Sequence, residues 1–112
     1  MNNKFLIGKN IKEFIFLLDD YLLNYPKKYF ELRNRLVNDS YKLLELVYLA
    51  NYSSNLERKE FQIEALTRIN LIDFYLESSF RNKIISSNQC VKLSNKLLVI
   101  NKMLYKWIES EK

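Results

Sequence analysis

The chain has 112 residues, no histidine, one cysteine, one glycine, one proline and a formal charge of +5. Its apolar and aromatic content excludes a disordered chain, and the lone Cys90 excludes an internal disulfide and fits a reducing, cytoplasmic setting. With only Gly8 and Pro26 as punctuation, hairpins and glycine-rich loops have little turn chemistry, so the sequence reads as long helices in one domain, residues 1–112.

The first helix is expected over Asn10–Asn24. Ile7, Ile11, Phe14, Leu18, Tyr21 and Tyr25 recur at alternating steps of four and three, which keeps one stripe facing a partner. Tyr25-Pro26 ends it, because proline forces the residue before it out of the helical region and favours the first turn of the next helix. The second helix, Lys27–Asn51, carries Tyr29, Leu36, Leu43, Val47 and Ala50, widened by Val37 and Leu44. Arg33 and Ser40 also fall on this seam. They read either as a snorkelling arginine and a small residue that admits a neighbour, or as a polar contact that fixes register or a partner.

The third helix, Leu56–Ile84, opens at a capping box of Ser54 and Glu57, in which side chains satisfy free amides at the helix start. Its seam is Phe61, Ala65, Ile69, Ile72 and Leu76, with Leu66 and Phe80 alongside. A second box, Ser86 with Gln89, opens the fourth helix, Ser87–Ile108. There Cys90, Leu93, Leu97, Ile100, Leu104 and Trp107 form the seam. Lys92, Lys96, Lys102 and Lys106 lie off it, and no acid occurs from Ser86 to Ile108. Long helices with short connections pack as antiparallel neighbours, so the fold class is all-α, an up-down antiparallel four-helix bundle.

The charge is uneven. Residues 1–56 hold eight Lys/Arg against six acids, residues 57–85 five against five, and residues 86–112 five against two. The excess sits on the fourth helix and suits an anionic partner, nucleic acid or an acidic protein. No apolar run approaches the length of a membrane span, and Met1–Ile7 lacks a signal-peptide core, so no membrane partner is expected.

Without histidine, the usual general base, the commonest metal ligand and the Ser-His and Cys-His nucleophiles are all missing. Asp19 and Asp20 are adjacent and diverge on a helix. Glu57, Glu60 and Glu64 sit among Arg58, Lys59 and Arg68 and read as a solvated, salt-bridged face. Asp73, beside core positions, is either a buried paired carboxylate or a residue at the seam's edge. No enzyme activity, metal or cofactor is expected. Eight tyrosines and seven phenylalanines exceed what one small bundle can bury. Surplus tyrosines can stack on bases but suit a subunit interface equally, and we assign them to the interface. Ile15, Leu22, Val91 and Leu98 widen the apolar faces and also point to self-association. Lys92, Lys96, Lys102 and Lys106 are the first candidates for phosphate contacts, followed by Arg33, Arg35, Lys27 and Lys28.

The order of these features resembles a known family. A first helix leads into Tyr25-Pro26-Lys27-Lys28, a long second helix ends at Leu49-Ala50-Asn51, a third opens near Glu57-Arg58, and the last closes on Met103-Leu104 and Trp107. Nearly the whole chain is similar to the accessory variability determinant (Avd) proteins of diversity-generating retroelements and to the small bacterial four-helix-bundle proteins that include ribosomal RNA intervening-sequence proteins. The chain departs from the family pattern at Phe30, where members tend to carry an arginine, and at Lys106, where a glycine is frequent. The resemblance implies a barrel-shaped homopentamer without catalytic activity. It also implies a reverse transcriptase as partner and a basic surface for template RNA or other nucleic acid, in service of mutagenic cDNA synthesis. The alternative is an oligomeric scaffold with no reverse transcriptase partner.

Overall fold

The computed structural model describes residues 3–111, so the first two residues and Lys112 of the expected domain lie outside the described residues. It contains α1 (Asn3–Leu22), a single 3₁₀ turn (Lys27–Tyr29), α2 (Phe30–Tyr52), α3 (Asn55–Arg81) and α4 (Ser87–Ser110). Among the described residues there is no strand. Each helix has two close neighbours, α1 beside α2, α2 beside α3, α3 beside α4 and α4 beside α1, so that α1 and α3, like α2 and α4, stand diagonally across the core.

Side-chain bonds fix the directions. Tyr29 near the start of α2 donates to Asn82 just past the end of α3 (3.3 Å), and Arg58 near the start of α3 donates to the Ala50 carbonyl near the end of α2 (2.9 Å). Helices α2 and α3 are therefore antiparallel. Arg58 also donates to Glu111, just past the end of α4, at 2.7 Å, which makes α3 and α4 antiparallel. The result is an up-down four-helix bundle of 43 × 22 × 19 Å.

The core is the set of stripes read from the sequence. Ile7, Ile11, Phe14 and Leu18 of α1 face Leu36, Leu43 and Ala50 of α2, Ala65, Ile72 and Leu76 of α3, and Leu93, Ile100 and Leu104 of α4, all at most 1% exposed. Burying each large aliphatic side chain contributes about 1.5–3 kcal/mol before chain entropy is subtracted.

Several boundaries and positions differ from expectation. Helix α1 starts at Asn3, seven residues before Asn10, because the apolar repeat extends back through Ile7. Pro26 is extended (φ −65°, ψ 153°), so the chain passes through the 3₁₀ turn and becomes α-helical only at Phe30. The Ser54 box does not form. Asn55 after it is left-handed (φ 55°), which turns the first amides away from the Ser54 hydroxyl. The Ser86 box does form, with both reciprocal bonds at 3.0 Å.

Helix α3 ends at Arg81 instead of Ile84. Lys83 N–H donates to the Phe80 carbonyl and Ile84 N–H to Ser79, both at 2.9 Å, around a left-handed Lys83 (φ 61°). This is a Schellman termination. It normally announces itself by a glycine, and here a lysine holds the position. Phe61 and Tyr29 are only half-buried and Phe80 is exposed, while Gln62, Tyr75 and Ser79 occupy the α3 seam. Cys90 is half-buried.

The buried carboxylate is Asp39. It receives Arg68 Nη1 at 2.6 Å, across the α2–α3 interface. Asp73 is exposed, at the seam's edge. Arg68 also lies 3.7 Å from Glu64, so that acidic face is joined to the core through one guanidinium. Arg58 likewise leaves the solvated face. Besides its bonds to Ala50, Asn51 and Glu111, its guanidinium lies 5.8 Å from the buried Trp107 ring, clamping one end of the bundle. Ser40 is fully buried, and its hydroxyl finds no partner among the described residues.

Candidate nucleic-acid interface

Helix α4 is held by its capping box at one end and by its buried seam along its length, which leaves its other faces to solvent. Lys92, Lys96, Lys102 and Lys106 are all exposed. At about 100° per residue they fall within an arc of roughly 120°, and at ~1.5 Å rise they span about 21 Å. None forms a salt bridge among the described residues. The salt bridges formed among the described residues use Glu31, Asp39, Glu45, Glu64, Glu77 and Glu111, with their partners on α2 and α3. The lysines are thus uncompensated point charges on one face, with the half-buried Met103 and the exposed Val99 between them.

The second group of candidates does not join them. Helices α2 and α4 stand on opposite corners of the bundle, so Arg33 and Arg35 are separated from the lysine face by a neighbouring helix. The two arginines also diverge, being two residues apart on a helix. Arg33 packs 6.0 Å from the Phe30 ring. Arg35 pairs with Glu31 at 3.0 Å, and its pKa is raised first by the Tyr75 hydroxyl on α3 and then by Glu31. Lys27 and Lys28 lie in the 3₁₀ turn, where the Lys28 ammonium sits 5.1 Å from the Tyr29 ring.

The sequence reading missed a groove between α1 and α2. Its walls hold Lys9, Lys12, Phe16, Tyr41 and Tyr48, with Phe16 67% and Tyr41 53% exposed. The only signal in the sequence is a second apolar stripe on α2, with Val37, Tyr41, Leu44 and Tyr48 following one another at steps of four and three. Among the described residues no three potential metal ligands come together, and no helix is long and apolar enough to cross a membrane.

Fold and surface define a small four-helix bundle protein with one uncompensated basic helix. Comparison with protein-family models, with curated proteins and with solved structures finds no match for the chain.

Proposed function

We propose that this protein is a non-catalytic, self-associating accessory that binds nucleic acid through Lys92, Lys96, Lys102 and Lys106 and serves a cytoplasmic reverse transcriptase copying template RNA. One observation carries the nucleic-acid part: four exposed lysines share one helix face and none is neutralised by an acid among the described residues. Phosphates are the partner that such a face attracts without any demand for sequence. The reverse transcriptase rests on the Avd-like order of Tyr25-Pro26-Lys27-Lys28, Leu49-Ala50-Asn51 and Met103-Leu104 before Trp107, and the pentameric state rests on the same likeness. Self-association draws further support from Val91, Leu98 and Tyr105. They recur every seven residues along α4 and are 51, 50 and 54% exposed, an apolar stripe left half open to solvent. That same stripe favours the second reading, an oligomeric scaffold that binds no nucleic acid.

Salt dependence separates the two. Four phosphate contacts to a single strand give a slope of log affinity against log salt of about −2.8, at ~0.7 per phosphate. Lys96→Gln with Lys102→Gln is expected to bring the slope to about −1.4 and to weaken binding to unrelated sequences alike, with helicity and oligomer mass unchanged. An unchanged slope would remove the lysine face as the site. Absence of any binding by a light-scattering multimer would leave the scaffold, and a monomer of 13.6 kDa would remove the oligomer.

A further inference from the structure

The α1–α2 groove is built from two adjoining hollows that share Lys12 and Phe16. One, of about 310 Å³, includes Lys9, Glu13 and Tyr48, and the other, of about 280 Å³, includes Tyr41. Tyr41 and Tyr48 lie seven residues apart on α2, which separates them by about 10 Å along the groove. Phe16 belongs to both hollows and so stands across from the interval between them. The three rings are exposed and make no ring-to-ring contact with one another; the aromatic pair formed among the described residues is Phe74 with Tyr75. The Lys12 ammonium sits over the Tyr48 ring, 5.7 Å from its centre, so this groove already pairs a cation with an aromatic ring.

From this arrangement we infer that the α1–α2 groove takes unpaired bases of a single-stranded nucleic acid, stacked on Phe16, Tyr41 and Tyr48, with Lys9 and Lys12 holding the adjacent phosphates. Open aromatic faces interleaved with cations are the common solution for single strands, because every base has a face to stack and every link a phosphate. Rings distributed over about 10 Å match roughly three nucleotides at ~3.4 Å per step. The charge argues against an apolar helix as occupant. Lys12 would be buried among aromatic rings with no acid to pair, since Glu13, the one carboxylate in the two hollows, makes no salt bridge to Lys9 or Lys12. Helix α1 is the wall common to this groove and to α4, since it packs on both α2 and α4. One strand can therefore be held by phosphates at the α4 lysines and by bases at the α1–α2 groove. The inference rests on the nucleic-acid reading above and adds to it a requirement for unpaired bases.

The test compares a short oligo(dT), an abasic strand of the same length and charge, and a duplex, by fluorescence anisotropy with the full chain. Stacking predicts that oligo(dT) binds more tightly than the abasic strand by roughly 5- to 150-fold per stacked base, and more tightly than the duplex. Tyr41→Leu with Tyr48→Leu keeps apolar volume and helix propensity. It is expected to remove two of the three stacking contributions, leaving only that of Phe16, with abasic binding and its salt slope unchanged, and Tyr41→Trp with Tyr48→Trp is expected to keep the full preference. Equal binding of oligo(dT) and abasic strand by the native chain would overturn the inference and leave the lysine reading intact. A leucine variant that keeps the full preference would overturn it too, and a fall in oligomer mass in that variant would show the groove covered by a second copy. If neither strand binds at any salt concentration, the nucleic-acid reading itself fails.

Discussion

Removing Arg68 strands a carboxylate. Asp39 is 7% exposed, and its side chain accepts from Arg68 at 2.6 Å, whereas the Arg68 side chain is 31% exposed and has Glu64 at 3.7 Å as a further neighbour. Breaking a fully buried pair from one side costs about 3–5 kcal/mol. Water reaches part of this guanidinium, so Arg68→Ala is expected to cost about 2–3 kcal/mol. Asp39→Ala leaves Arg68 with Glu64 and solvent and is expected to cost only ~1 kcal/mol. The order of the two follows from which partner is left dry. Replacing both, Asp39→Leu with Arg68→Met, fills the site with apolar volume and is expected to return within ~1 kcal/mol of the native chain. Urea unfolding followed by circular dichroism reads all three. Protein concentration must be held fixed, because the self-association proposed above would contribute to apparent stability. At roughly 4 °C per kcal/mol, Arg68→Ala also lowers Tm by about 8–12 °C. Equal costs for the two single substitutions, or a double variant worse than Arg68→Ala, would show that desolvation of Asp39 is not what the pair compensates.

Two further substitutions probe local devices. Ser86→Ala removes a capping bond and is expected to cost ~1 kcal/mol in thermal unfolding, while Ser54→Ala, whose hydroxyl caps nothing, is expected to change stability by no more than a few tenths. Tyr25 donates to Ser79 at 2.6 Å. Burial pushes its pKa above the ordinary tyrosine value, and the nearby Cys90 adds to this. Its contribution is therefore complete below the unfolded-state pKa of about 10 and is lost as pH rises through the folded-state value. Tyr25→Phe should cost ~1 kcal/mol at neutral pH and flatten the fall in stability above about pH 10. An identical alkaline slope in the variant would exclude Tyr25 as its source.

What residue order determined is local. The α4 seam from Leu93 to Trp107 is buried as its spacing requires, because a helix of fixed period turns the same side chains inward whatever packs on them. The Ser86 box forms because both partners lie within one turn of a regular helix start, whereas the left-handed Asn55 defeats the same spacing at Ser54. The four lysines share a face for the same reason. What only the tertiary structure decided depends on where a second helix arrives. Asp39 and Asp73 each stand beside a seam, and the one that is buried is the one that meets Arg68 across an interface. Arg58 clamps three helices because the ends of α2 and α4 converge on it. Arg33 and Arg35 stay apart from the lysine face because α2 and α4 occupy opposite corners. Phe16 and Tyr48 lie 32 positions apart in the chain, yet they line one groove because α1 and α2 pack side by side. Periodicity tells which way a side chain points from its own axis. It carries no information on what stands opposite, and a binding groove is made of what stands opposite.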